Sequence, residues 1–507
     1  MKAYSEDLRQ KIVGTFTFLA VLVVALFLRA YQLNAESLWL DEAYAVDMAD
    51  NSFIQILRMS FPDGNPPLYY LLLHYWQWLF GDSELSVRIP SVLFGVFSVA
   101  LIYKVGALLF GRVTGLIGAL IMALSAYQVH YAQEARTYSM MVFLALSSSY
   151  LFLRLFGGKN YWVLAGYVLS SAALMYSHYY GIFIVVAQAL FVLGFYWLSR
   201  HKDDTPTRRT WVNAPTFSTW ALAAGAIAIV YIPGFFYLAY PLVHSEHRSH
   251  LHPPGLNDLL WSFLQYAGAP NFPSPLLLAM LTLFAVIAVG VLAKKGGERT
   301  TLSLLLLWLI VPIAFPFVLS HVITPFYDGR YSIASLPAFF LLAAVGMQRV
   351  GRVALHASTN RTASLSAFAV TGVLFSIVGF LFLSVLHDYF TTAKKVPWRD
   401  IASYVRARAE PGDALIISED YQQIPYYYYA RGNELPDTVI PLRSEKANDL
   451  GYEIRDSDRV WLLLSLPDEQ QEKFNASLEG AGFKIADQNL YNEGVYPKLN
   501  LTLYEKQ

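Results

Sequence analysis

An acidic pair, Asp41-Glu42, follows the first long apolar run and is flanked by Trp39, Leu40 and Ala43. Carboxylates in such a place serve as a general base or hold a metal ion. On a helix, neighbouring side chains diverge by about 100°. One carboxylate is therefore expected to do chemistry while the other bonds locally. The plainer reading is a helix N-terminus in a surface loop, where acidic side chains satisfy free backbone N–H groups. Arg88 and Arg330 sit at the ends of two further apolar runs. A guanidinium offers a planar fork of donors that fits phosphate; the alternative is an arginine whose stem lies in an interface. His244 and His247 are three residues apart, hence on one face if helical, which suits a metal site or a solvated loop. The run Tyr426 to Tyr429 either lines an acceptor groove or packs in a core.

Such residues need elements to hold them. Of the 507 residues, 55% are hydrophobic and 15% charged, with mean hydropathy +0.39. Soluble domains carry about 25% charged residues, so much of this surface faces something other than water. Aromatics reach 15%, in keeping with interfacial belts. The net charge of zero gives no reason to expect nucleic acid as a partner. With no cysteine, disulfides, thiol catalysis and cysteine-ligated zinc are excluded.

Eleven apolar segments approach the roughly 20 residues that a bilayer requires. They lie near 12–31, 89–110, 113–129, 138–156, 161–178, 180–199, 217–238, 275–293, 301–320, 331–348 and 364–386. The first has a basic start but no small-residue cleavage site, so it reads as a retained span rather than a signal peptide. Pro67 to Phe80 is too short to span and reads as an interfacial helix. With the N-terminus in the cytoplasm, the inner segments hold 16 Lys and Arg and the outer loops before residue 387 hold 6. That asymmetry supports both the orientation and the number of spans. Lys104 lies toward the inner end of the second span and is expected to snorkel.

Residues 387–507 are charged and rich in turns. Short apolar runs (Ala414–Ile417, Thr438–Ile440, Val460–Leu466) alternate with helical patterns (Trp398–Ala409, Pro467–Gly480). The expectation is a polytopic helical domain over 1–386, whose first outer loop is 33–88, and a small α/β domain over 387–507 outside the membrane. The polar motifs all fall in outer loops. A transporter or flippase would carry ionisable residues deep in its spans and a repeat symmetry; here the spans are nearly charge-free and no repeat is visible. A scaffold or pseudo-enzyme is disfavoured by the intact acidic pair and both arginines.

Taken in order, the motifs resemble the GT-C glycosyltransferases of the dolichyl-phosphate-mannose protein mannosyltransferase group, which includes the bacterial enzymes that add aminoarabinose to lipid A. The residues are Asp41-Glu42, Asn65-Pro-Pro-Leu-Tyr-Tyr70, Phe80-Gly-Asp-Ser-Glu-Leu-Ser-Val-Arg88-Ile-Pro, Leu109-Phe-Gly-Arg112, and Tyr131-Ala-Gln-Glu-Ala-Arg136-Thr-Tyr138. Ser177-His-Tyr-Tyr-Gly181, Gly329-Arg330-Tyr331, Lys395-Val-Pro-Trp-Arg-Asp400 and Pro411-Gly-Asp413 follow. The likeness is most specific over 38–140 and weakest over 239–274.

The resemblance implies a GT-C fold of about 11 transmembrane helices in the cell (inner) membrane and an inverting transfer at an extracytoplasmic site. It implies a polyprenyl-phosphate sugar donor and a glycan, lipid or protein acceptor. Asp41 matches the catalytic base, with Glu42 and Glu134 as further carboxylates. Arg330 and Arg136, with Arg88 and Tyr331, would serve the donor phosphate; Tyr69, Tyr138, His178 and Tyr179 would line the pocket. Where many relatives have an aspartate this chain has Tyr138. In the lipid A enzymes an acidic metal ligand precedes the Pro-Pro pair, and here Gly64 stands there with Asp63 beside it. A divalent metal at Asp63, His244 or His247 is thus a weaker expectation. A polymerase or ligase moving a whole glycan is an alternative on the same fold.

Overall fold

The computed structural model describes residues 2–506 except 64, 159, 202–214, 244–251, 271–272, 295, 324, 357–360, 393–394, 432–435, 437, 442–453, 455–456, 465–467 and 492–498. It shows a multi-pass helical membrane protein with a small C-terminal sheet. By backbone contacts the chain divides into two units. One comprises 1–31, 52–72 and 88–389; the other comprises 32–51, 73–87 and 390–507. The second unit therefore gathers two pieces of the first loop together with the C-terminal segment.

In the first unit, each of the eleven expected segments is helical. Among the described residues, eight helices are long and apolar enough to cross a membrane, or nine if a bent pair counts as one span. The difference from eleven lies partly in short helices: Tyr161–Ser177 has 17 residues, and the apolar part of the next helix is Gly181–Trp197. The segment expected at 113–129 is broken into Arg112–Leu124 and Ala126–Ala132, bent by 62°. Ser125 makes the break, its hydroxyl accepting the Gln128 N–H as an N-cap.

A break inside an apolar helix frees backbone carbonyls that need donors. Arg29 supplies them. It is fully buried at the end of Lys2–Ala30 and donates to the carbonyls of Met122 (3.0 Å) and Ala123 (3.3 Å). One of the six outer-loop Lys and Arg in the charge count above, Arg29 is instead a buried cap. Gln133 returns the service: its side-chain amide donates to Tyr31 O (2.7 Å) and Arg29 O (3.2 Å), closing the end of the first helix. The Tyr389 hydroxyl holds Gln133 Oε1 at 2.8 Å.

Other helices are joined by small and polar residues, as expected where lipid tails provide no hydrophobic drive between helices. Gln188 donates to Ser148 and Ser149, and accepts from the Tyr167 hydroxyl at 2.9 Å. Helices Pro275–Lys294 and Leu336–His356 meet at Gly346, where a Cβ would stand 1.9 Å from the Phe284 carbonyl oxygen. The interfacial segment is the helix Leu68–Phe80.

The second unit has a five-stranded sheet: β1 (Ala414–Ile417), β2 (Thr438–Pro441), β3 (Arg459–Leu464), β4 (Phe483–Tyr491) and β5 (Leu499–Lys506), in the order β2-β1-β3-β5-β4. β1 pairs in parallel with β2 and β3, while β5 pairs antiparallel with β3 and β4. β1 and β3 are buried on both faces, which is why they read as unbroken apolar runs. Successive side chains alternate between two cores. Leu415, Ile417, Trp461 and Leu463 pack with Trp398, Ile401 and Tyr426 on one face. Ile416, Leu462 and Leu464 pack with Phe474 and Leu478 on the other. Asp413 of the Pro-Gly-Asp turn is buried and accepts the Trp461 indole N–H at 2.9 Å.

Candidate functional site

In the first unit, Asn65, Pro66, Tyr69, Tyr70, Arg136, Thr137, Tyr138, Ser177, His178 and Tyr331 line a small, partly open cavity. Five of the expected site residues meet there: Tyr69, Arg136, Tyr138, His178 and Tyr331. Four sequence segments far apart in the chain converge on it: 65–70, 136–138, 177–178 and Tyr331.

Local structure explains each contribution. Tyr69 belongs to the first turn of Leu68–Phe80, and its hydroxyl lies 3.1 Å from Ser91 Oγ. Ser91 in turn donates to the Arg136 carbonyl at 3.2 Å. Thr137 Oγ1 donates to Ser177 O at 2.8 Å, tying the 133–137 connection to the end of Tyr161–Ser177. Arg136 is thus carried on a short, doubly pinned link. Tyr138 opens the next helix and stacks 6.4 Å from Tyr331, at 17° between planes.

His178 lies just beyond the helix Tyr161–Ser177, as its C-cap. It is 4% exposed. Its Nδ1 accepts the Tyr180 N–H at 3.2 Å, which assigns the ring proton to Nε2. Burial, then the charges of Arg136 and Arg330, push its pKa down to about 3. The imidazole is therefore neutral near pH 7. Arg136 lines the cavity, and Arg330 lies near enough to act on the same imidazole.

Arg330 sits on the 3₁₀ turn Gly329–Ser335. Asp328 caps that turn: Oδ1 accepts the Arg330 N–H at 2.9 Å, and Oδ2 pairs with Arg330 Nε at 2.8 Å. The guanidinium lies 5.4 Å from the Tyr331 ring centre. Gly329 is required by space, since a Cβ would fall 2.0 Å from Ser262 Oγ. From the same helix, Leu256–Ala267, the Tyr266 hydroxyl donates to Gly329 O at 2.8 Å. The turn is held like a mounted part, with the guanidinium half-exposed.

Other expected residues stand apart from the cavity lining. Tyr179 stacks on His178, 4.5 Å between centres, as a supporting wall. Glu134 is buried with an oxygen 3.3 Å from His130 Nε2. Arg88 is 2% exposed, which overturns the interfacial snorkelling reading. His244 and His247 lie outside the described residues, as does the side chain of Asp63. Among the described residues, no group of three or more His, Asp or Glu is arranged to hold a metal ion. Tyr70, Asn65, Thr137 and Ser177 also line the cavity; each belongs to a motif quoted above, but none was given a site role there.

The acidic pair lies in the second unit, in the first turn of Leu40–Ala49. Glu42 is fully buried and forms an ion pair with Lys395 (2.8 Å). Asp41 is partly exposed. The two side chains leave the helix about 100° apart. Tyr429 is a structural residue: its hydroxyl accepts the Leu38 N–H at 2.6 Å and donates to Glu84. Arg399 Nε also bonds Glu84, at 3.2 Å. Tyr426 is core.

Residues 64–232 match the family model described as dolichyl-phosphate-mannose-protein mannosyltransferase. A protein of Bacillus subtilis (strain 168), named "Putative mannosyltransferase YycA", is 31% identical over 192 residues, which is 35% of this chain and 28% of that protein's length. The fold is similar to ArnT from Cupriavidus metallidurans bound to undecaprenyl phosphate, with TM-score 0.57 and 13% identity over 96% of this chain and 97% of ArnT. It is also similar to the archaeal oligosaccharyltransferase AglB from Archaeoglobus fulgidus, in complex with an inhibitory peptide and a dolichol-phosphate. That match has TM-score 0.53 and 12% identity, over 93% of this chain and 72% of AglB. The chain has the GT-C glycosyltransferase fold.

Proposed function

We propose that this GT-C chain transfers a sugar from a polyprenyl-phosphate carrier to an acceptor hydroxyl on the extracytoplasmic face of the cell membrane, with inversion. The observation that carries the reading is the tyrosine-walled cavity in which Arg136 and a neutral His178 stand, with the Arg330 turn close enough to act on that histidine. Such a site suits a phosphate attached to a sugar: rings for the sugar, guanidiniums for the charge. ArnT, with undecaprenyl phosphate bound, and AglB, with dolichol-phosphate, supply the carrier class. The N-terminus is assigned to the cytoplasm and the C-terminal unit to the outside by the Lys/Arg asymmetry.

In this mechanism Asp41 takes the proton of the acceptor hydroxyl. The oxygen attacks the anomeric carbon from the face opposite the phosphate, the C–O bond to the phosphate breaks, and the polyprenyl phosphate leaves with the electron pair. Arg330 and Arg136 stabilise that departing charge, which forms only as the bond breaks and so accelerates the step. The His178 Nε2–H is a neutral donor for the phosphate or the sugar.

The test is transfer from a synthetic polyprenyl-phospho-sugar by purified protein. Asp41→Asn should cut the rate by about 10²–10⁴-fold with folding intact, and Arg330→Ala should chiefly weaken donor binding. Near-normal transfer by a folded Asp41→Asn protein would remove the base assignment. A glycan polymerase or ligase is favoured over a single-sugar transferase only by the likeness to AglB; product size in the same assay separates the two.

A further inference from the structure

We infer that Lys395, contributed by the C-terminal segment, is a positioning residue for the acidic pair: its ion pair with Glu42 sets the rotation at which Asp41 is presented. The inference rests on the base assignment above and adds a residue that assignment does not contain.

Glu42 is fully buried, and its Oε2 takes two bonds: the Trp39 N–H at 3.4 Å and the Lys395 ammonium at 2.8 Å. The lysine side chain is itself only 9% exposed. Around this pair, the same C-terminal unit grips the approach to the helix residue by residue. The Lys395 N–H donates to Glu36 Oε1 at 3.3 Å, the Arg399 N–H to Ser37 Oγ at 3.1 Å, and the Leu38 N–H to the Tyr429 hydroxyl.

A buried ion pair is close to neutral for stability when compared with apolar packing of the same size, because desolvation offsets the attraction. What it supplies is register. The first turn of Leu40–Ala49 is pinned through Glu42, and Asp41 follows at a fixed angle of about 100°. A base must meet its proton within hydrogen-bond reach, and a displacement of about 1 Å costs on the order of 10²-fold in rate. Lys395 acts on catalysis through Glu42 rather than by touching substrate.

Two measurements on full-length protein test this. In the transfer assay, Lys395→Met should lower kcat at least about tenfold while the donor KM stays within about twofold, and Lys395→Arg should restore part of the loss. In hydrogen exchange, amides of 36–46 should exchange about tenfold faster in Lys395→Met, with β1 and β3 unchanged. If Lys395→Met does not fold, the Glu42→Gln, Lys395→Met double variant, which removes both charges of the pair, should show the same two effects. Wild-type kcat with wild-type exchange at 36–46 overturns the inference. So does faster exchange spread equally over β1 and β3, which would mean loss of the domain rather than of position. Should the wild type transfer no sugar, the function above fails, while the exchange experiment still decides the role of Lys395.

Discussion

His178 gives the sharpest quantitative test of the site. Its pKa is about 3 in the folded protein and about 6.5 in an unfolded chain. A histidine whose folded pKa is depressed contributes stability that is fully present above about pH 6.5 and is lost as pH falls toward the folded value, because the unfolded state then binds the extra proton. Each pH unit in that window is worth about 1.4 kcal/mol. Between pH 6.5 and pH 5 the loss from this one group is therefore about 2 kcal/mol. The comparison is thermal unfolding of wild type and His178→Asn at pH 7.5 and pH 5. The asparagine oxygen still accepts the Tyr180 N–H but does not titrate, so the variant should lose less stability on acidification. A polyprenyl phosphate in the cavity should shrink the wild-type slope, since its negative charge favours the imidazolium. Equal slopes for both proteins would refute the claim that His178 is held buried and neutral.

Gly346→Ala should lower the thermal midpoint strongly in detergent: its Cβ collides with the Phe284 carbonyl, and overpacking of this kind costs about 1–3 kcal/mol or more. A midpoint unchanged within error would mean that the two helices do not meet there. Tyr429→Phe strands the Leu38 N–H and one Glu84 contact, so it should cost about 1–3 kcal/mol; urea unfolding of the C-terminal unit measures it, and a change under about 0.5 kcal/mol counts against the hydroxyl's bridging role.

Much of the scaffold was legible because its signals are local. Apolar runs of near-bilayer length read as helices, and β1 and β3 announce themselves as short unbroken apolar stretches. β4 did not, because much of its side-chain surface is exposed and polar and it lacks a run of buried residues. The break at Ser125 was hidden for another reason: the segment's hydropathy is continuous across it, and the bend shows only in the freed carbonyls of Met122 and Ala123 that Arg29 satisfies. The cavity was partly visible, since Tyr69, Arg136, Tyr138, His178 and Tyr331 belong to recognisable motifs. The partners of those motifs were not. Asp328 could have been suspected from its place as an N-cap two residues before Arg330. Glu42 with Lys395, and Glu84 with Arg399, join residues more than 300 positions apart, and a single sequence has no local signal for such pairs.

The exchange of end-caps between Arg29 and Gln133 bears on how mutants of this protein should be read. A charged residue inside an apolar helix, intolerant of replacement and close in sequence to the acidic pair, would look in a substitution screen like part of the chemistry. Yet Arg29 is committed to the carbonyls of Met122 and Ala123, and its loss would leave them without this donor at the break that precedes the Arg136 link. Activity alone would score it beside Asp41; only a folding measurement on the same variant separates a collapsed frame from a missing reagent.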